Sequence, residues 1–265
     1  MSILEDIQTK PAMVIMNGNH VTEQLVADVI SYLGGSPLIA EDYQDDANLV
    51  PLSAAIDLNM GTITKSSHQR LIQLGQTANQ HGKPIVFDPV GVGASPLRKA
   101  QARELLEKVL MQVIRGNLSE IAALLTGEQS HLGIDSTSEA DSVKTALKFA
   151  AQSKAWVVIS GKVDTISDGQ QVFQITNGHP FLAKNVGMGD ALDGILALGL
   201  AHCTMIEELV KVAAILPVAA DLVMEEDKVQ GPASFKMALM DKLTNLSDQE
   251  LLDFAHIRKV ELARS

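Results

Sequence analysis

The chain has 265 residues, 46% of them hydrophobic and only 3% aromatic, with a formal charge of −11. That length fits one large α/β core built from Leu, Ile, Val, Ala and Met, and the apolar content excludes a disordered chain. The acidic balance excludes nucleic acid and anionic membrane as partners, since both are bound through clusters of Lys and Arg.

In chain order, short apolar runs alternate with longer stretches of helical period. Strands are predicted at residues 13–16, 38–40, 55–58, 85–88, 113–115 and 157–160, and helices at 22–33, 66–81, 96–111, 119–125, 138–152, 191–203 and 206–224. Strand, turn and helix in repetition predict a mainly parallel sheet covered on both faces. After Ser160 the rhythm changes. Thr165-Ile-Ser, Asp168-Gly169 and the run 172–175 read as a hairpin, and three or four helices follow. No linker, charge run or repeat divides the chain, so one domain over 1–265 is expected. The first ten residues lack a basic start followed by an apolar run, which predicts no secretory signal. The longest apolar stretch, 212–224, is broken by Pro217 and Asp221 and is shorter than the ~20 residues of a membrane span. The lone Cys203 permits no internal disulfide and fits a reducing, cytoplasmic setting; it reads as a packing residue.

In an open α/β sheet, ligands bind beyond the carboxyl ends of the strands, so four segments there are candidates for chemistry. Gly187-Met188-Gly189-Asp190 leads straight into an apolar helical run. Two glycines let backbone close around a ligand, and the free amides of a helix start attract anions. Asp190 is then either a helix cap or, where a phosphoryl group arrives, the carboxylate that accepts an alcohol proton, with the amides of Gly187, Met188 and Gly189 as an anion hole. Asp88-Pro-Val-Gly91-Val-Gly93 follows another strand. It suits a cation or a phosphate, and Pro96 stands where a dinucleotide fingerprint needs its third glycine. Arg115-Gly-Asn117-Leu-Ser-Glu120 places Asn117 and Glu120 one helical turn apart, as a capping box, as holders of a magnesium-bound water, or as both. Ser160-Gly-Lys162-Val-Asp164 is no Walker A loop, because Lys162 is followed by Val163 and the earlier glycine is missing. His179, in Asn177-Gly-His-Pro, reads as a loop residue.

Together these strings resemble the hydroxyethylthiazole kinase family. They include Gly34-Gly-Ser-Pro, Asn59-Met-Gly-Thr, Asp88-Pro-Val-Gly-Val-Gly-Ala, Ile114-Arg-Gly-Asn-Leu-Ser-Glu, Ser160-Gly-Lys-Val-Asp, Gly187-Met-Gly-Asp and Gly231-Pro-Ala-Ser-Phe. The resemblance implies a ribokinase-like three-layer α/β/α sandwich without a lid domain, assembled as a homotrimer. It implies ATP- and Mg²⁺-dependent phosphorylation of the hydroxyethyl group of a small thiazole alcohol, for thiamine biosynthesis or salvage. By position it implies Arg115, Ser160 and Asn117 at the nucleotide, Asp88 and Glu120 around magnesium, and Ile39, Asn19 and Gly187 around the acceptor. One departure stands out. The family usually has cysteine where this chain has Asp190, and aspartate there resembles the wider superfamily, in which it is the catalytic base. Two sister activities fit the same scaffold, a hydroxymethylpyrimidine kinase and an ADP-forming repair dehydratase; a silent nucleotide-binding protein is the third alternative.

Overall fold

The computed structural model describes residues 2–126, 139–225 and 229–262. Six strands run parallel: β1 (Met13–Asn17), β2 (Ser36–Ile39), β3 (Ala55–Asn59), β4 (Ile85–Asp88), β5 (Val113–Asn117) and β6 (Trp156–Ser160). Three antiparallel strands extend the sheet: β7 (Asp164–Ser167), β8 (Val172–Ile175) and β9 (Ile257–Lys259). Their order is β2-β1-β3-β4-β5-β6-β7-β8-β9. The chain leaves β1 toward one edge and returns on its other side, so the winding reverses between β1 and β3. A switch of that kind opens a crevice at the carboxyl ends of the two strands.

The helices are α1 (Ile3–Thr9), α2 (Glu23–Tyr32), α3 (Asp46–Leu49), α4 (Lys65–Gln80), α5 (Pro96–Lys108), α6 (Leu118–Thr126), α7 (Glu139–Ser153), α8 (Phe181–Lys184), α9 (Met188–Leu200), α10 (Ile206–Met224), α11 (Pro232–Asn245) and α12 (Asp248–Phe254). Successive strand side chains point to opposite faces, and the core divides accordingly. Val14, Met16, Ala55, Val86, Val113 and Val158 pack under α1, α2, α9, α10 and α11. Ile15, Ile56, Phe87, Ile114, Val157 and Ile159 pack under α4 to α7. With both faces covered, the parallel strands are mainly apolar, with Asp57, Asp88 and Arg115 as the charged exceptions. The result is the expected α/β/α sandwich.

The predicted strands fall within two residues of those observed, and the hairpin forms with Gly169 at φ +89°, Asp168 Oδ1 accepting from the amides of Gln170 and Gln171. The helix predicted from residue 138 begins at Glu139, and Ser138 lies outside the described residues. The sequence pattern set no bounds for α1, α3, α8, α11, α12 or the edge strand β9, and among the described residues five helices, rather than three or four, follow the hairpin. Among the described residues no helix is long and apolar enough to cross a membrane.

Candidate active site

The pleat assembles the site. Residues two apart on a strand share a face, so Asp57 and Asn59 of β3, Asp88 of β4 and Arg115 of β5 fall on the side where Val14, Met16, Ala55, Val86 and Val113 meet α9. All four are buried. Helix α9 supplies the complement, Asp190 and Asp193, three residues apart and therefore on one helical face.

Gly187 caps α9 in the left-handed conformation, φ +91°, a region that favours glycine. A Cβ there would lie 2.6 Å from Thr22 Cγ2 and 2.9 Å from Leu25 Cδ2. The helix consequently starts at Met188, three residues earlier than predicted, and Asp190 sits inside its first turn. Of the two sequence readings for Asp190, the N-cap is therefore corrected: Gly187 holds that place, without a side-chain bond. The amides of Met188, Gly189 and Asp190 are those a first turn leaves without helical partners. The Asp190 carboxylate accepts from Asn19 Nδ2 at 2.8 Å, from Asn59 Nδ2 at 3.3 Å and from the Thr22 hydroxyl. Asn19 thus reaches the site, placed there by Gly18 (φ +140°), where a Cβ would collide with the Asn59 carbonyl at 1.8 Å.

Arg115 lies beneath this turn. Its Nε donates to Asp193 Oδ1 at 2.6 Å, one terminal nitrogen bonds both Asp193 Oδ2 and Asp88 Oδ2, and Asp190 Oδ1 is 3.8 Å away. The fork geometry of guanidinium matches a carboxylate held this way. Asn59 Nδ2 also donates to Asp88 Oδ2 at 3.2 Å. Burial works against charge on the arginine, yet Asp193 and Asp88 beside it hold its pKa well above the usual value.

Among the described residues the site gathers four carboxyl groups around one guanidinium, and the imbalance shows in their acidities. Burial, reinforced by Asp193 and Asp190, pushes Asp57 well up against the pull of Arg115. Burial also raises Asp88, although Arg115 opposes it, and lifts Asp193 to about 6. Oxygens of Asp88, Asp190 and Asp193 lie within 4.8 Å of one another, and Asp88 Oδ1 has no hydrogen-bond partner among the described residues. An oxygen-only donor set with surplus negative charge suits a hard divalent cation such as Mg²⁺.

The Asn117–Glu120 segment forms the predicted capping box. Asn117 Oδ1 accepts from the Glu120 amide, and Glu120 Oε2 from the Asn117 amide, each at 2.9 Å. Glu120 Oε1 also accepts from the Gly91 amide at 2.8 Å, joining the glycine turn after β4 to the start of α6. Both carboxylate oxygens keep further lone pairs, so the cap leaves room for a water-mediated metal contact. Ser160 pairs in register with Asn117 at the carboxyl ends of β6 and β5. Ile39 ends β2, pairs with Met16 and is 41% exposed. His179 packs against Phe181 and Phe235, and Asn177 ties β8 to α10 and to the approach of β9 through Asp221, Phe254 and His256. Burial pushes the Cys203 thiol up to about 12, in keeping with packing rather than reactivity.

Sequence reasoning missed Asp57, Thr22 and Asp193. Asp57 and Asp193 each leave a signal, a lone carboxylate inside an apolar strand or helix where unpaired charge is costly.

Comparison with known proteins agrees with the geometry. The structure of hydroxyethylthiazole kinase protein from Pyrococcus horikoshii OT3 superimposes with a TM-score of 0.89 at 28% identity, over 98% of both chains. A ribokinase-like superfamily protein from Enterococcus faecalis V583 shares the fold alone, with a TM-score of 0.61 at 19% identity over 88% of this chain and 86% of that one. The fold is ribokinase-like, and the class it defines is a kinase that transfers phosphate to an alcohol. More narrowly, the profile of the hydroxyethylthiazole kinase family matches residues 4–249, and hydroxyethylthiazole kinase of Staphylococcus epidermidis (strain ATCC 12228) is 35% identical over 99% of this chain and 100% of its own. The chain belongs to the hydroxyethylthiazole kinase family.

Proposed function

We propose that the protein transfers the γ-phosphoryl group of ATP to the hydroxyethyl oxygen of 4-methyl-5-(2-hydroxyethyl)thiazole, for thiamine biosynthesis or salvage, with Asp190 as the base. The observation that carries this is the setting of Asp190: a carboxylate in the first turn of α9, beside free amides and steered by Asn19, Thr22 and Asn59. Phosphoryl transfer asks a protein mainly for positioning and charge stabilisation. Asp190 takes the hydroxyl proton as the acceptor oxygen bonds the γ-phosphorus and the bond to the β,γ-bridging oxygen breaks, releasing ADP. The amides at Gly187, Met188, Gly189 and Asp190 hold the moving phosphoryl group in place.

Arg115 braces Asp88 and Asp193 beneath that turn and adds positive charge under the triphosphate. Asp88 would hold Mg²⁺ and Glu120 would do so through water, with Asp193 close by; the cation, when bound, neutralises phosphate charge. Asn117 and Ser160 form the nucleotide side at the ends of β5 and β6, and Asn19, Ile39 and Gly187 the acceptor side near β1 and β2. One domain, closed around one continuous sheet, and a cytoplasmic homotrimer complete the reading.

The test is ATP-dependent phosphorylation of the thiazole alcohol, with hydroxymethylpyrimidine run beside it, each with and without Mg²⁺. Thiazole phosphate formed only with Mg²⁺ is the expected result. Turnover of the pyrimidine alone would move the protein to a sister activity, and no product from either would leave a silent nucleotide-binding protein.

A further inference from the structure

Asp193 stands one helical turn after Asp190 on α9 and is wholly buried, at 0% exposure. A carboxylate inside an apolar helix is costly unless it is paired. Arg115 pairs it: Nε donates to Oδ1 at 2.6 Å and Nη2 to Oδ2, one fork that engages both oxygens. Charge balance gives no reason for this pair. Asp88 already meets the same guanidinium, and a second buried carboxylate brings more negative charge than one cation cancels.

What the fork does fix is direction. The guanidinium nitrogens lie in one rigid plane, so holding Nε and Nη2 decides where Nη1 points. Every hydrogen bond that Arg115 makes with the described residues comes from Nε or Nη2, and Nη1 makes none. Nη1 lies directly under the first turn of α9, since a Cβ on Gly189 would stand 2.7 Å from it and 3.2 Å from Cζ. Glycine at 189 therefore leaves the space that the guanidinium occupies. A charged donor without an acceptor, on a side chain only 5% exposed and beside the free amides of a helix start, is completed by an anion.

We propose that Asp193 is a positioning residue for the phosphoryl transfer: it locks the plane of Arg115 so that Nη1 donates to the phosphoryl group as it passes the first turn of α9. The proposal rests on the kinase reading above and deepens it. Asp193 acts through Arg115 and touches no reacting atom itself. A donor held in advance where charge develops stabilises the transition state more than bound ATP, so its effect falls on kcat rather than on KM.

The experiment measures kcat and KM for ATP and for 4-methyl-5-(2-hydroxyethyl)thiazole in the wild type, Asp193→Asn and Asp193→Ser, with thermal melts to confirm folding. Asparagine keeps the volume but can accept from only one of the two nitrogens, and serine removes the fork altogether. Asp88 still pairs Arg115 in both, so neither variant strands a buried cation. With the guanidinium free to shift, kcat should fall by about 10²-fold, while both KM values stay within about threefold. The same Asp193→Asn change is then made in Arg115→Lys, which keeps the positive charge without the fork. A residue acting through the guanidinium should cost nothing further there, within about twofold. A kcat within a few-fold of the wild type in the folded variants, a loss carried by KM, or an equal loss in the Arg115→Lys background would each overturn the proposal and leave the kinase reading in place. A wild type that phosphorylates no alcohol would remove the kinase reading, and this inference with it.

Discussion

Asp164 begins β7, just after the turn that leaves Ser160, and its carboxyl is buried with Oδ1 accepting from the Gly161 amide at 2.9 Å. Burial raises its pKa to about 7, against the smaller opposing effects of that amide and of Arg115. The folded protein therefore binds this proton more tightly than the unfolded chain does. The associated stability is fully present below the unfolded value near 4 and is lost as pH rises through about 7. With each pH unit between the two values worth about 1.4 kcal/mol, the ceiling is about 4 kcal/mol, and relaxation around the ionised group will lower it. Asp164→Asn keeps an oxygen for the Gly161 amide and cannot ionise. The assay is urea denaturation of both proteins at intervals from pH 4.5 to 8.5. Subtracting the two curves cancels the similar contributions of Asp57, Asp88 and Asp193. The variant should gain on the wild type steadily up to about pH 7 and then hold a constant lead of a few kcal/mol at most. A pH-independent difference, or a wild type that gains as pH rises, would mean that Asp164 is ionised and paired in the fold, and would refute the argument.

Two further substitutions probe the elements that place Asp190. Gly187→Ala forces a left-handed residue, costing about 1–2 kcal/mol, and drives its Cβ against Thr22, whose hydroxyl donates to Asp190. Activity should fall further than melting temperature, and unchanged kinetics would show that the Thr22–Asp190 contact does not matter to the reaction. Arg115→Met leaves Asp88 and Asp193 buried without their counter-charge, which should cost about 3–5 kcal/mol at pH 8 and visibly less at pH 5, where both acids hold protons more readily. Equal losses at the two pH values, read from denaturation midpoints, would contradict the charge argument.

The parallel half of the sheet was legible because strands such as 85–88 and 113–115 are buried on both faces and therefore apolar up to the charged residue that ends each, Asp88 and Arg115. The family strings carried the rest of the fold class. The start of α9 was placed three residues late because Met188-Gly189-Asp190 has little helical preference of its own; the left-handed cap at Gly187 and packing against α2 and α10 impose the turn. β9 is three residues long and mostly exposed, and only its pairing with β8 makes it a strand. α1 has three buried apolar residues in a seven-residue span, too short a pattern for the period to register. Within the site, Asp88, Glu120, Arg115 and Asp190 could be singled out because each follows or opens an element beside glycine. Asp57 and Asp193 sit in the interiors of apolar elements. Their convergence on Arg115 and Asp190 depends on which strands lie side by side, information no local stretch of sequence contains.

The central claim is that Asp190 takes the acceptor's proton. It is tested most directly by the single-turnover rate of Asp190→Asn with saturating ATP, divalent cation and thiazole alcohol. Asparagine preserves size and can still accept from Asn19 and Thr22, so folding and ligand binding should change little. The rate should fall by roughly 10²–10⁴, the contribution of a positioned general base. A rate within a few-fold of the wild type would leave Asp190 a structural residue of the first turn and contradict the mechanism.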